Sequence, residues 1–248
     1  MLQNCIQSIH DRTTYRDFEL LIVDNGSSSK QAQDYLRSLP YRVVSFNQRF
    51  NFSRMNNLAV RESKGEYVLL LNDDTEVISA DWLKSMLGYA QWPEIGAVGA
   101  KLYYPDGSIQ HGGIVLGVRG VAGHWMRRFP GNSRGYFNSL FTTRNFSAVT
   151  AACVLFRREV FESVGGFDEH LPVAFNDVDL CLRIRDAGYR IVWVPEAELY
   201  HHETATRPFE LDPKEVRYFQ KKWNTALLND PYYNPNLTLD VESLALRY

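Results

Sequence analysis

The sequence has little cysteine, and the cysteines that it has are badly placed for pairing. Cys5, Cys153 and Cys181 are odd in number and far apart, and no Cys-x-x-Cys pair occurs. This pattern argues against a disulfide framework and against a thiolate zinc site. Cys153 lies in an apolar run, which favours a buried thiol. We therefore expect a protein of a reducing compartment, the cytoplasm.

Long apolar runs and a large net charge are also missing. No stretch approaches the ~20 apolar residues that span a membrane, so we expect any membrane contact to be peripheral. The formal net charge is -2 over 248 residues, which gives no reason to expect nucleic acid as a partner. Hydrophobic residues make up 45% of the chain and charged residues 23%, a balance typical of an ordinary globular protein.

What the first half of the chain does have is a regular alternation of strand and helix patterns. Continuous apolar strands separated by helices predict an α/β fold with a mainly parallel sheet that helices cover on both faces. Gly65 is the predicted stop of one of these helices. The predicted strands are "FELLIVD", "YRVVSFN" and "EYVLLLNDD", and the predicted helices are "SKQAQDYLRSL", "FSRMNNLAVRESKG" and "ADWLKSMLGYAQ". Further on, "IGAVGAKLYYPDGSIQHGGIVLG" predicts two strands around a Pro-Asp-Gly turn.

Carboxylates follow two of the predicted strands. Asp24 comes after "LLIV", and Asp73 and Asp74 come after "VLLL". Ligands of open α/β sheets bind beyond the carboxyl ends of the strands, so these acids are candidate ligand-binding residues. The alternative is that Asp24 and Asp74 are turn formers or helix caps, as Asp commonly is.

A second cluster lies in "FNDVDLCLRIRDAGYRIVWVPEAELYHH", residues 175 to 202. The pattern predicts a helix with Asn176 as its N-cap and with Asp177 in its first turn. Acids in a first turn suit the helix dipole without any further function. The same dipole would keep Asp177 ionised and able to accept a proton. Two adjacent histidines, His201 and His202, follow the next strand and are candidate ligands.

These segments together resemble a family 2 glycosyltransferase of the GT-A fold. The resemblance rests on four blocks in register, from about residue 17 to 202: "ELLIVDNGSS", "FNFSRMNNLAVRESKGEYVLLLNDDTEV", "TAACVLFRREVFESVGGFDE" and "FNDVDLCLRIRDAGYRIVWVPEAELYHH". The tail "DPYYNPNLTLD" is similar to the end of such modules in bacterial O-antigen and rhamnan-type enzymes. The resemblance implies one glycosyltransferase domain over residues 1–248, with a core at 17–202 and a C-terminal helical extension at 203–248.

The resemblance implies a nucleotide-sugar-binding role for Asp24, Asn25, Ser27, Asn57, Asn72 and Asp73. Asp24 would bond the base or the ribose, with Asn25 and Ser27 beside it, and Asn57 would lie near the nucleotide. The donor would be a dTDP-sugar or a UDP-sugar.

A metal site is also implied. Asn72, Asp73 and Asp74 stand where the family has its Asp-x-Asp triplet, next to the donor. Asp74 and His201 would hold Mg²⁺ or Mn²⁺ against the diphosphate. His202 would replace His201 if the match to the family were shifted by one residue. The triplet here begins with Asn rather than Asp, so we expect a modest metal affinity.

The remaining implied residues act on the acceptor. Asp177 matches the catalytic base, while Thr150, Ala151 and the turn around Gly166 would border the sugar and the acceptor. The resemblance therefore implies an inverting, metal-dependent transfer to a glycan or lipid-linked acceptor in bacterial surface polysaccharide synthesis. Two other functions stay open: a metal-dependent phosphohydrolase or nucleotidyltransferase, and a non-catalytic nucleotide-sugar- or carbohydrate-binding fragment of a larger polypeptide.

An unusual local composition bears on the acceptor. Residues 107 to 158 contain no Asp or Glu, and their arginines alternate with aromatic residues. We expect this span to face an anionic acceptor, such as a lipid-linked diphosphate at the inner membrane surface. The alternative is that the arginines pair with acids from other segments. The arginines are Arg119, Arg127, Arg128, Arg134, Arg144, Arg157 and Arg158, and the aromatics among them include Trp125, Phe129, Tyr136, Phe137 and Phe141.

The resemblance also implies a strand before the first helix, between "ELLIVD" and "YVLLLN" in the sheet. The chain starts inside that helix, so we expect a truncated form of a longer enzyme. Each backbone group left without a partner would cost about 1–3 kcal/mol. We therefore expect a gap or a rearranged sheet edge, with reduced stability or donor binding.

Overall fold

The computed structural model describes residues 1–203, 211–242 and 245–247. Its first half alternates helices and strands as the sequence predicts. The elements of this half are α1 (Leu2–Arg12), β1 (Leu21–Asp24), α2 (Lys30–Ser38), β2 (Arg42–Ser45), α3 (Phe52–Glu62), β3 (Tyr67–Leu71), β4 (Thr75–Val77) and α4 (Trp82–Ala90). The second half contains β5 (Ile95–Tyr103), β6 (Ile109–His111), β7 (Ile114–Leu116), β8 (Ala122–His124), β9 (Arg144–Phe146), β10 (Cys153–Arg157), α5 (Arg158–Ser163), α6 (Asn176–Asp186), β11 (Arg190–His201) and α7 (Pro213–Leu227).

The main sheet is mixed rather than mainly parallel. Its strand order is β3-β10-β5-β11-β4, with β6 added to β5 and β9 added to β11. Strands β5 and β11 are parallel, but β10 is antiparallel to both β3 and β5, and β4 is antiparallel to β11. The α/β class is confirmed, and the mainly parallel arrangement was wrong. The reason is that an irregular segment, not a crossover helix, leads into β10, so nothing forces that strand to run parallel.

A separate two-stranded sheet lies outside the main one. Strands β1 and β2 pair with each other in parallel, whereas β3 belongs to the main sheet and pairs with β10. The expected gap between β1 and β3 is therefore confirmed, and truncation itself stays a prediction. The first helix packs on the main sheet, where the Val77 amide of β4 donates a 3.0 Å hydrogen bond to Ser8 Oγ of α1.

Strand β5 forms the centre of the core, and all nine of its residues are buried. Glycine in this strand lets its neighbours approach closely. A Cβ on Gly96 would lie 2.3 Å from a methyl carbon of Ile184, which belongs to α6. A Cβ on Gly99 would lie 2.5 Å from Val149. The strand thereby fixes the depth at which α6 packs on the sheet.

Helix α7 is the one helix that the described residues place in the predicted C-terminal extension, and it packs against the segment that leads into α6. Oε2 of Glu215 accepts hydrogen bonds from the amides of Val173 and Ala174, at 3.0 and 2.7 Å. The ring of Phe219 stacks on Phe175 with the two centroids 4.8 Å apart. The start of α6 therefore depends on contacts made by the C-terminal helix.

The irregular tail after α7 is also tied to the sheet. Asp230 is buried and accepts hydrogen bonds from the Leu116 amide and from Ser147 Oγ, both at 2.7 Å.

None of the helices in the described part of the chain combines the length and the apolar character that a membrane span requires.

Two predicted helix ends are displaced in the structure. Helix α3 ends at Glu62 and is followed by Ser63 as its C-cap, so Gly65 is not its stop. Asn176 is the first residue of α6 rather than its N-cap, because Phe175 occupies the cap position with φ of 58°. The Asn176 side chain instead donates to the carbonyl of Val173, at 3.0 Å.

The acid-free span divides into paired and exposed parts. Arg127 lies 3.5 Å from Glu203 (Nη2 to Oε2) and 3.7 Å from Glu242 (Nη1 to Oε2). Arg128 Nη1 lies 3.6 Å from Asp106 Oδ2. The alternative of pairing with acids from other segments is thus confirmed for these two arginines. Trp125 is buried, and the exposed aromatic residues of the span are Tyr136, Phe137 and Phe141.

Candidate functional site

Asp74 and His201 meet at the ends of β3 and β11. Their atoms Oδ1 and Nε2 are 3.1 Å apart. The antiparallel register of β4 and β11 places His201 opposite Thr75, immediately after Asp74. The next residue, His202, has its ring 3.7 Å from Glu76 instead. The structure therefore brings His201, and not His202, to Asp74.

His201 is surrounded by polar partners. Its Nδ1 lies 2.6 Å from Gln110 Oε1, and its Nε2 lies 3.2 Å from Asn72 Nδ2. Burial acts to raise the pKa of Asp74, but the adjacent His201 ring and a backbone hydrogen bond outweigh it, so that the pKa lies below its ordinary value. Even so, Oδ1 of Asp74 is buried without a hydrogen-bond partner of good geometry.

This pair of atoms fits a small divalent cation. Carboxylate oxygen and imidazole nitrogen both bind Mn²⁺, and carboxylate oxygen also suits Mg²⁺. Neighbouring ligands of an octahedral ion with bonds of about 2.1 Å are about 3.0 Å apart, which is close to the 3.1 Å observed between Asp74 and His201. In residues 1–203, 211–242 and 245–247, no three His, Cys, Asp or Glu side chains form a metal-binding group. The pair would therefore need further ligands from water or from a bound diphosphate.

Asp177 lies at the start of α6. Its Oδ2 accepts a hydrogen bond from the Ala151 amide at 3.2 Å, and its Oδ1 accepts one from the Val178 amide at 2.8 Å. Burial raises the pKa of Asp177, and hydrogen bonds from Ala151, Val178 and Thr150 only partly offset this effect. The shift is opposite to the one expected from the helix dipole, because loss of hydration outweighs the dipole here. A carboxylate with a raised pKa is the better proton acceptor.

A short segment connects the two parts of the site. The Ala151 amide contacts Asp177, and the carbonyl of Ala152 accepts a 3.0 Å hydrogen bond from the Asn72 amide. Thr150 precedes these residues, and its amide lies 3.4 Å from His111 Nε2. Thr150 and Ala151 therefore lie between the Asp74–His201 pair and Asp177.

The predicted nucleotide residues at β1 make local turn contacts. Oδ1 of Asp24 accepts a hydrogen bond from the Ser27 amide at 3.0 Å, as a turn-forming Asp does. The Asn25 side chain donates to the carbonyls of Phe46 and Gln48, at 2.8 and 3.0 Å. These contacts hold the ends of β1 and β2 together. Asp73, which follows β3, is exposed.

Asn57 and Gly166 contact each other rather than Asp74 or Asp177. The Asn57 side chain donates to the Phe167 carbonyl at 3.0 Å and accepts from the Phe167 amide at 2.8 Å. Gly166 has φ of +69°, and a Cβ there would lie 2.7 Å from Asn57 Oδ1. A surface groove of about 580 Å³ opens beside them, but its lining includes neither Asp74 nor Asp177.

The sequence analysis missed Gln110, His111 and His124. His111 is buried, and its Nδ1 lies 2.9 Å from His124 Nδ1. Burial lowers the pKa of His111 well below its ordinary value and lowers that of His124 to about 3, so both rings are neutral. The available signal was the string "QHGG" after the Pro-Asp-Gly turn. Its second glycine, Gly113, has φ of +107° and no room for a side chain against Phe146.

Two curated proteins are similar in sequence to this chain. The curated protein y4gI of Sinorhizobium fredii, described as uncharacterized, is 48% identical over 259 positions, which cover 99% of this chain and 28% of that protein. The O-antigen biosynthesis protein RfbC of Myxococcus xanthus is 40% identical over 255 positions, which cover 100% of this chain and 20% of RfbC. The chain thus spans less than a third of the length of either relative.

A solved structure shares the fold. The crystal structure of GalNAc-T7 with UDP, GalNAc and Mn²⁺ superposes with a TM-score of 0.70 at 14% identity, covering 90% of this chain and 45% of that one. The family model described as "Glycosyl transferase family 2" matches residues 1–165. Because this match covers more than half of the sequence, the chain belongs to glycosyl transferase family 2.

Proposed function

We propose that this chain carries out an inverting, metal-dependent transfer of a sugar from a nucleotide-sugar to an acceptor hydroxyl. The observation that carries the proposal is the Asp74–His201 pair, with 3.1 Å between Oδ1 and Nε2 and with a buried carboxylate oxygen that lacks a partner. Such a pair is suited to holding Mg²⁺ or Mn²⁺. When bound, the ion would neutralise the charge that develops on a diphosphate leaving group.

Asp177 is the proposed general base. Its raised pKa favours uptake of the proton that an acceptor hydroxyl loses during attack. A single displacement of this kind inverts the anomeric centre and needs no nucleophile from the protein. Thr150 and Ala151 are proposed to border the place where sugar and acceptor would meet. Gly166 is proposed to border the acceptor as well.

The donor is a dTDP-sugar or a UDP-sugar in this proposal. Asp24, Asn25, Ser27 and Asn57 are proposed to contact the nucleotide, together with Asn72 and Asp73. The bound UDP and Mn²⁺ of GalNAc-T7 support a nucleotide with a divalent ion in this fold.

The acceptor is proposed to be a glycan or a lipid-linked glycan of a bacterial surface polysaccharide. The similarity to an O-antigen biosynthesis protein supports this setting. We place the reaction in the cytoplasm, at the inner face of the membrane, and within a larger polypeptide.

The experiment is a titration with a panel of nucleotide-sugars, with Mn²⁺ or with EDTA, followed by product analysis. We expect one donor to bind only with metal and to yield a glycosylated acceptor with inverted configuration. The Asp74→Asn variant should lose metal-dependent binding, whereas the control Glu76→Gln should keep it. Binding without transfer would favour a non-catalytic module, and phosphate or pyrophosphate release without an acceptor would favour a phosphohydrolase or nucleotidyltransferase.

A further inference from the structure

We propose that Gln110 is a positioning residue that sets the tautomer of His201 and so keeps the cation site open. The inference rests on the proposed metal function of Asp74 and His201. Gln110 is 3% exposed and lies on β6, and its side chain reaches His201 at the end of β11.

The orientation of the Gln110 amide is fixed by its nitrogen. Nε2 lies 3.2 Å from the His201 carbonyl and 3.4 Å from Glu203 Oε2, and both of these oxygens are acceptors. The amide oxygen Oε1 therefore faces His201 Nδ1, at 2.6 Å. A carbonyl oxygen only accepts hydrogen bonds, so Nδ1 of His201 carries a proton.

The other ring nitrogen is then a lone-pair atom in the neutral imidazole. His201 Nε2 lies 3.2 Å from Asn72 Nδ2, which can donate to it. It also faces Asp74 Oδ1 at 3.1 Å, and that oxygen lacks a partner. Two acceptor atoms thus point into one space, as the ligands of a cation do.

The opposite tautomer would close this space. With the proton on Nε2, His201 would present a hydrogen in place of a lone pair beside Asp74 Oδ1. That nitrogen could then not bind a cation. Gln110 opposes this rearrangement because its Oε1 would lose the donor at Nδ1. The residue therefore holds the pair in the form that binds a metal.

The test is a comparison of Gln110→Met with Gln110→Glu. Methionine has a similar length but removes the acceptor, whereas glutamate keeps an acceptor oxygen against Nδ1. In metal-free protein labelled with ¹⁵N-histidine, long-range ¹H–¹⁵N spectra distinguish the two tautomers. His201, assigned by its absence from His201→Asn, should carry its proton on Nδ1 in the wild type and in Gln110→Glu. In Gln110→Met the proton should move to Nε2.

A second measurement follows Mn²⁺ binding by electron paramagnetic resonance in the presence of UDP. Loss of a partner of this kind typically weakens metal binding ~10–100-fold, and we expect this loss in Gln110→Met. Adding Gln110→Met to His201→Asn should produce no further loss, because the effect acts through His201. An equal loss in both backgrounds would show that Gln110 contributes only packing, and would overturn the proposal.

The outcomes separate this inference from the proposed function. A wild-type His201 with its proton on Nε2, or an unchanged tautomer in Gln110→Met, overturns the positioning role, and the wild-type spectrum decides even if the variant fails to fold. If the tautomers respond as expected but the wild type does not bind Mn²⁺, the positioning role is supported and the metal-dependent function is overturned.

Discussion

Replacement of Asp177 by Asn is the sharpest test of the catalytic assignment, because rate and stability should respond differently. Asn has nearly the same shape but cannot accept the acceptor's proton. A general base contributes ~10²–10⁴-fold to rate, which corresponds to roughly 2.7–5.4 kcal/mol of activation free energy. We expect kcat to fall by this factor while nucleotide-sugar affinity stays within about twofold.

The expected loss of stability is limited because two effects oppose each other. Burial raises the pKa of Asp177 in the folded state, so the ionised carboxylate disfavours folding as the pH rises through that pKa, and Asn removes this penalty. Against this, Asn keeps only one oxygen for the amides of Ala151 and Val178, and the amide left without a partner costs about 1–3 kcal/mol. We therefore expect the unfolding free energy to fall by less than the roughly 1–3 kcal/mol that the lost hydrogen bond alone would cost.

The assay is single-turnover transfer with the donor identified by titration, together with thermal unfolding of both proteins. Asp186→Asn, an exposed change at the other end of α6, is the control and should keep the wild-type rate. Near-normal turnover in Asp177→Asn would refute the assignment. So would a loss of activity that simply follows a loss of folded protein.

Three further predictions concern the same region. The rate of transfer should fall on the acid side as Asp177 is protonated, at a pH above the ordinary Asp pKa of about 3.9, because burial raises the pKa of this residue; a kcat/KM profile that stays flat down to that value would contradict the base. Asn72→Asp should tighten Mn²⁺ binding roughly tenfold, by adding a carboxylate beside His201, and paramagnetic resonance titration would detect unchanged or weaker binding if this is wrong. Asp179→Asn should cost about 3–5 kcal/mol of unfolding free energy, because the buried carboxylate accepts a 2.8 Å hydrogen bond from Trp223 Nε1 and pairs with cationic side chains; a melting temperature close to wild type would show that the network contributes little.

The sequence predicted the parts of this fold that depend on local pattern. Apolar runs and helical periodicity located the strands and helices of the first half, and the adjacent residues Asn72 to Asp74 marked the strand end at which Asp74 meets His201. These signals come from residues that are close together in the sequence, so a single sequence is enough to detect them. The direction of β10 did not follow, because strand direction after an irregular connection depends on contacts between distant segments.

The missed site residues have the same cause. Gln110 and His201 are 91 positions apart in the chain, and their hydrogen bond exists only because β6 and β11 both pair with β5. The direction of the pKa shift of Asp177 was mispredicted. The sequence indicates that this residue lies in the first turn of a helix, but it does not indicate how deeply the residue is buried. Periodicity reports which face of a helix is apolar, and it does not report how much water reaches its first turn.

The left-handed backbone of Phe175 carries a practical consequence for any engineering of this protein. A bulky residue with φ of 58° is uncommon, and here it stands two positions before Asp177, under the ring of Phe219 and beside the amides that Glu215 holds. The orientation of the proposed base therefore depends on helix α7, which follows it in the chain by some 40 residues. A shortened version that stopped before Pro213 would keep every strand of the main sheet and both proposed metal ligands, but it would lose the support that orients the proposed base. Minimal versions of this module should be judged by whether they transfer sugar, since folding and nucleotide capture alone would not reveal the loss.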